Sequence, residues 1–260
     1  LRENRGEVEA AQNNNLPKLV TLKDIKGDLH THSKYTDGKN TIREMAQAAK
    51  DLGYSYIAVT DHSQHVSVAG GLDQKGLEKQ LDEIDKINDE IKGITVLKGS
   101  EVDILEDGSL DLPDEILKKL DIRICSLHYK FKLSKKEQTE RVIKAMNNQY
   151  FNVFAHPTGR LINERAPYEI DLDKIIKAAK DKGCFLELNA NPERLDLDDI
   201  YCKTAKEMGV KIVISTDSHQ TDHLNHIKYG IGQARRGWIE ADDVINTKSL
   251  KEIKKIFKKA

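Results

Sequence analysis

The chain has no excess of charge of either sign, few cysteines, no long apolar run and no glycine-rich loop behind its first strand. Each absence removes a class of function. Lysine and arginine number 42 against 43 aspartates and glutamates, so no global basic field draws the molecule onto nucleic acid, and any such contact must be local. Cys125, Cys184 and Cys202 are odd in number, widely spaced and without a CxxC pair. They exclude a disulfide framework and a zinc knuckle, and point to reduced core thiols in a cytoplasmic compartment. The longest apolar runs, such as residues 211–215, are strand-sized and far below the roughly 20 residues that span a bilayer, so no membrane segment is expected. The opening Leu1-Arg2-Glu3-Asn4-Arg5-Gly6-Glu7 has neither an apolar signal nor an initiating Met. It is expected to be a cut from a longer chain or a processed product.

What the sequence does have is alternation. Short β-branched and aromatic runs at 27–30, 56–60, 95–101, 122–127, 152–155, 185–189 and 211–215 predict seven strands covered on both faces. Between and after them, helical periodicity runs over 42–52, 77–91, 115–120, 137–146, 172–180, 200–208, 223–235 and 250–258. Alternating βα units build a parallel sheet, and the expectation is an α/β fold in which seven strands close into a barrel over residues 26–260. An open doubly wound sheet is the competitor. It usually carries a Gly-rich phosphate loop after strand one, whereas that turn here reads His30-Thr31-His32-Ser33. Residues 1–25, with Asn13, Asn14, Asn15 and then Pro17, are expected to be a linker.

Barrel enzymes place their chemistry at the carboxyl ends of the strands, and there the polar residues gather. His30 and His32 are two apart, so an extended backbone puts both imidazoles on one face, and Asp37 follows in the same loop. Later strand ends carry Asp61-His62, Glu101, Ser126-Leu127-His128, His156 and Asp217-Ser218-His219. Singly, each has a plain explanation: a hydrogen-bonded structural histidine, a helix cap at Asp217, a turn at Asp37-Gly38. Jointly they would be an uncompensated crowd of titratable groups on one rim, which metal ions resolve. The predicted ligand set is therefore His30, His32, Asp37, His62, Glu101, His128, His156, Asp217 and His219. His65, His223 and His226 are expected at the surface or behind the ligands.

Joined together, these segments resemble the PHP (polymerase and histidinol phosphatase) superfamily, whose motifs are an HxH with a following Asp, a TDH, a Glu, two separate His and a terminal DxH. All of those positions are filled here. Within it, the stretches Ala155-His156-Pro157-Thr158-Gly159-Arg160-Leu161, Leu186-Glu187-Leu188-Asn189-Ala190-Asn191-Pro192-Glu193-Arg194-Leu195-Asp196-Leu197 and Ala234-Arg235-Arg236-Gly237-Trp238 resemble the carboxyl-terminal PHP module of bacterial and archaeal family X DNA polymerases. The resemblance implies a distorted seven-stranded βα barrel, with residues 1–25 as the junction after an absent polymerase core, a partner in cis. It also implies about three divalent ions (Zn, Mn or Fe) in a trinuclear site. His30, His32, Glu101 and Asp217 would hold one ion, Glu101 bridging to a second held by His128 and His156, with Asp37, His62 and His219 on the third. Catalysis would then rest on Glu101, Asp217, His30 and His32 through a metal-activated water, with no protein nucleophile. Asp61 and Ser126 would orient ligands, and Arg160, Arg194 and Asn189 are the substrate-binding candidates.

The leading functional expectation is a metal-dependent phosphoesterase working as a 3′→5′ exonuclease or 3′-end-processing module on DNA 3′ ends, consistent with DNA repair. Two alternatives stand beside it: a small-molecule phosphatase of the histidinol-phosphate type, and a non-catalytic, metal-stabilised polymerase scaffold. A DNA enzyme needs a basic track, for which Arg235, Arg236, Lys248, Lys251, Lys254, Lys255, Lys258 and Lys259 are candidates.

Overall fold

In the computed structural model, which describes residues 3–258, a short helix α1 (Glu7–Gln12) precedes seven strands and eight further helices. Leu1, Arg2 and Lys259, named above, lie outside the described residues. In chain order follow β1 (Gly27–Thr31), α2 (Ile42–Asp51), β2 (Tyr56–Val59), α3 (Gln74–Glu90), β3 (Thr95–Asp103), α4 (Asp114–Leu117), β4 (Ile122–Ser126) and α5 (Lys135–Ala145). They continue with β5 (Val153–Phe154), α6 (Leu172–Lys182), β6 (Phe185–Asn189), α7 (Asp199–Glu207), β7 (Ile212–Ser215), α8 (Ile227–Arg236) and α9 (Leu250–Phe257). Every neighbouring pair from β1 to β7 is parallel and in chain order, and the sheet curls into a nearly closed barrel. The expected seven-stranded βα architecture is the one observed.

The elements form for local reasons. Helices α2, α5 and α9 each open on a capping box, Thr41 with Glu44, Ser134 with Glu137 and Ser249 with Glu252. Helix α6 stops where Gly183 takes a φ of 66°, a left-handed turn that favours glycine. Strand residues alternate between two cores. Ile57, Val59, Cys125, Phe154 and Ile214 pack outward against helix residues such as Met45, Ile84, Val142 and Ile175. Tyr56, Ala58, Ile122, Ile124, Val153 and Val213 fill the barrel, which Ile253 and Phe257 of α9 close at the amino ends of the strands.

The seam between β7 and β1 is closed by two different devices. At the carboxyl ends the His32 N–H donates to the Ser218 carbonyl at 2.8 Å. At the amino ends a side chain stands in for a strand. The Asn246 amide donates to the carbonyls of Gly27 (2.9 Å) and Ile214 (2.7 Å), and its oxygen accepts from the Ile214 N–H at 3.0 Å. Asn246 is fully buried, so Asn246→Ala would leave three backbone groups unsatisfied. The expected loss is about 3 kcal/mol, read as a lower urea midpoint at unchanged m-value.

Two expectations need adjusting. Strand β5 has two residues where four were predicted, and His156, two residues past its end, turns at a φ of 27°. The stretch expected to be a linker carries α1 and docks on the barrel: Arg5 pairs with Asp199 at 2.7 Å, and the buried Val20 donates its N–H to Ile239 at 2.9 Å. Polar turn chemistry at 13–17 hides the apolar anchors Val20 and Ile25 that follow. Among the described residues no helix is long and apolar enough to cross a membrane, and no disulfide joins the three buried cysteines.

Candidate metal centre

Six strands deliver the nine candidate ligands to one rim, and Glu101 is the hub. Its Oε2 lies 3.3 Å from His30 Nε2, 3.4 Å from His32 Nε2 and 3.0 Å from His62 Nδ1. Its Oε1 lies 3.3 Å from His128 Nε2 and 2.9 Å from His156 Nε2. Asp217 Oδ1 stands 3.2 Å from His32 Nε2 and 3.6 Å from His30 Nε2. On the outer side Asp37 Oδ2 faces His62 Nε2 at 3.4 Å and His219 Nε2 at 3.3 Å. Three groups emerge whose donor atoms all lie within 4.8 Å of one another: His32, Asp37, His62 and His219; His30, His32 and Asp217; and His62, Glu101 and His128.

The loops are shaped to bring these side chains inward. A Cβ on Gly38 would come within 2.7 Å of the His32 backbone, so the turn that carries Asp37 can fold back against β1 only with glycine there. His156 and Asp217 both sit at positive φ, 27° and 54°. For residues with a Cβ this costs of order 1–3 kcal/mol each, a strain that clusters at functional sites. Asp61 accepts from Ser33 N, Ser33 Oγ, Thr36 Oγ1 and Gln80 Nε2 at 2.5–2.8 Å, and so fixes the loop between His32 and Asp37. Ser126 Oγ lies 3.3 Å from His128 Nδ1.

The donor set fits divalent cations. His30 Nε2, both ring nitrogens of His32, His62 Nδ1 and His156 Nδ1 are buried and make no hydrogen bond. Ring nitrogens left this way beside carboxylates suit coordination better than a hydrogen-bonded core. The electrostatics agree. Burial disfavours charge on His30, yet Glu187, Asp217 and Glu101 outweigh it and hold the imidazole well above its ordinary range. In the same way Glu101 and Asp37 overcome burial to lift His62 to about 10, and Asp37 and Asp217 lift His219 to about 9. Burial opposes ionisation of Glu101 and Asp217, but the surrounding imidazoles hold both carboxyls well below the usual range. His32 instead is pushed down, to about 3, by burial and by its neighbours His219 and His62. The rim is thus a negative field that demands positive charge, whether protons or cations.

Sequence reading passed over two carboxylates here. Glu187, fully buried in β6, accepts from or faces His30 Nδ1 at 2.7 Å, the His156 N–H at 2.6 Å and Ser215 Oγ at 2.6 Å. Asp103, at the end of β3, lies 3.1 Å from His128 Nδ1. Each holds one nitrogen of a histidine whose other nitrogen points to Glu101, the usual partner arrangement behind a metal-binding imidazole. The signal was present: a glutamate between Leu186 and Leu188 in a strand covered on both faces must be paired.

The substrate candidates have definite surroundings. Arg194 Nε lies 3.3 Å from Asp217 Oδ2, with its Nη1 unbonded. Asn189 is fully buried and donates to Asp217 Oδ2 at 3.1 Å, bracing that carboxylate. Arg160 donates through Nε to the Arg194 carbonyl at 2.7 Å and through Nη2 to Leu195, fastening the loop that carries Arg194. His65 is 3.9 Å from Asp103, and His223 stacks on His226 with ring centroids 4.8 Å apart. The expected basic track is not at the rim. Arg235 donates to the Val20 carbonyl and Arg236 pairs with Glu3 and Asp199. The lysines of α9 lie at the opposite end of the barrel, because the apolar face of that helix is its plug.

Comparison with known proteins fits this geometry. Residues 28–191 match the PHP domain family. The chain is 45% identical over 259 residues to a DNA polymerase/3′-5′ exonuclease PolX of Bacillus subtilis, covering all of this chain and 45% of that protein's length. It is 35% identical over 231 residues to a probable phosphatase of Thermoanaerobacter sp., covering 85% of this chain and 89% of that one. In structure it is similar to a histidinol phosphate phosphatase of Lactococcus lactis solved with zinc, L-histidinol and phosphate. That likeness has a TM-score of 0.56 at 19% identity, over 80% of this chain and 93% of that one, and it speaks to the fold.

Proposed function

This chain belongs to the PHP domain family, and from that premise we propose that it is a metal-dependent phosphodiesterase that removes nucleotides from DNA 3′ ends. The observation that carries the hydrolytic part is the convergence of five imidazoles on the Glu101 carboxylate. What favours DNA over a small ester is the 45% identity to a protein named for 3′-5′ exonuclease activity. By the same likeness a polymerase core would be its partner in cis. Buried thiols without a disulfide suit a cytoplasmic setting.

In this reading His30, His32, Glu101 and Asp217 would hold one ion, Glu101, His128 and His156 a second, and Asp37, His62 and His219 a third. Bound there, divalent ions would supply positive charge to polarise phosphoryl oxygens and acidify water. The chain's own groups set the stage. Glu187 and Asp103 fix the orientation of His30 and His128. Asn189 and Arg194 brace Asp217 from the side away from the histidines, and the unbonded Arg194 Nη1 is available to a phosphoryl oxygen. Substrate reaches the site past Asp37, His219 and His128, whose side chains are 35%, 30% and 20% exposed while the other ligands are 7% or less. No side-chain nucleophile is called for: Ser33 and Ser215 donate to carboxylates, and burial pushes the Cys125 thiol up.

The second reading, a small-molecule phosphatase, is favoured by the likeness to the Thermoanaerobacter protein over most of both chains. One assay separates them. Chelator-sensitive release of labelled 3′ nucleotides from single-stranded or gapped DNA, at least about tenfold above hydrolysis of histidinol phosphate at equal concentration, is the expected result. The reverse ratio would install the phosphatase reading.

A further inference from the structure

The lysines that the active rim does not use make a surface of their own. At the amino ends of the strands a cavity of about 470 Å³ is lined by Lys118, Arg123, Tyr150, Lys254, Phe257 and Lys258, among others. Arg123 forms its floor. It is 3% exposed and donates through Nε to the Tyr150 carbonyl at 2.9 Å and through Nη1 to the Leu120 carbonyl at 2.6 Å. Among the described residues no carboxylate lies within ion-pair distance of it, and the nearest counter-charge is Asp121, which lines the same cavity. With only that more distant carboxylate to offset it, a guanidinium taken out of water is costly, and more so beside other cations. Lys118, Lys254 and Lys258 are exposed and likewise carry no ion pair among the described residues.

We propose that this end of the barrel is a second, non-catalytic binding site for single-stranded nucleic acid. Three features select that ligand over a lone small anion. Lys251 and Lys255 stand four apart on α9, and beside them Lys254 is four from Lys258, which caps the helix end; at that spacing helix side chains leave the backbone about 5–6 Å apart and follow one another in a row. A phosphodiester strand, with one negative charge per nucleotide, matches a row where a single anion fills one point. Tyr150 lines the same cavity, with the Arg123 guanidinium 5.4 Å from its ring centroid. An aromatic platform inside a cationic groove is how strands are held without sequence preference. The site is also remote from the rim, by the length of a five-residue strand or about 17 Å, so a strand bound here does not compete for the metal centre.

The test uses the whole chain with chelator present, so that no hydrolysis occurs, and a fluorescein-labelled dT20 probe read by anisotropy across a salt series. In Lys118→Glu/Lys254→Glu/Lys258→Glu the plot of log affinity against log salt is expected to become shallower by about two, 0.7 for each lost phosphate contact. Tyr150→Ala is expected to weaken binding about tenfold with the slope unchanged, the effect of one lost stacking contact. The triple variant is expected to keep the wild-type melting temperature, since all three side chains are exposed. An unchanged affinity and slope in the triple variant would overturn the proposal. So would displacement of dT20 by polyglutamate as effectively, charge for charge, as by unlabelled dT20, which would show a merely cationic face.

Discussion

Glu101→Gln is expected to abolish phosphoester hydrolysis, by at least about 10³-fold, and to lower bound metal by more than one ion per chain. The substitution keeps the shape of the side chain and removes its charge. That charge lies within 3.4 Å of ring nitrogens from His30, His32, His62, His128 and His156, so no other single residue touches as much of the cluster. An amide accepts and donates hydrogen bonds but neutralises no cation. Asp37 and Asp217 would then be left as the carboxylates on the inner side of the rim, with Glu187 and Asp103 holding the far nitrogens of His30 and His128, and repulsion between ions there would be undercompensated. Metal ions supply several kcal/mol of transition-state stabilisation, and about 4 kcal/mol is the 10³-fold loss. Elemental analysis beside single-turnover kinetics checks both halves. Wild-type metal content with lost activity would make Glu101 a group that acts on substrate; wild-type activity would remove it from the centre altogether.

Stripping the metal is expected to reverse the way stability depends on pH. In the metal-free protein His62 and His219 have folded pKa values of about 10 and 9, above the 6.5 of a free imidazole, and His30 is also raised. A group raised on folding contributes stability that is complete below the unfolded pKa and is lost as pH climbs to the folded one. The window is therefore pH 6.5 to about 9–10, and the metal-free chain should be of order 3 kcal/mol less stable at pH 9 than at pH 6. Below that window the depressed carboxyls of Asp37, Glu101 and Asp217 take over, and stability falls again as acid protonates them. The loaded protein should show the opposite slope between pH 6 and 8, because ligands must shed protons to bind metal. Melting temperatures with and without chelator at pH 6 and pH 9 test this. A chelator effect that shrinks as pH rises would contradict a centre built from these histidines.

Much of this molecule can be read without its coordinates, because its signals are local. Strand period and helical period mark the elements. Parallel βα units in chain order leave few topologies but a barrel. His30 and His32 on one strand face, and a titratable residue at one strand end after another, announce a cluster before any distance is known.

Other features are decided only when distant segments meet. Asn246 is an unremarkable amide in the sequence and a surrogate strand in the barrel, because the seam it fills exists only once β7 returns to β1. Glu187 and Asn189 are hard to tell apart along β6, yet the fold sets the first against His30 and the second against Asp217. The terminal lysines look like a track to the active rim, and packing of Ile253 and Phe257 under the barrel sends them to its other end. The sequence by itself determined which side chains could bind metal, since residue chemistry and strand-end position are local properties. Only the tertiary structure decided which of them share a charge, which are held by a buried partner and which face of the barrel each cation serves, since electrostatic coupling depends on distance in space and not along the chain.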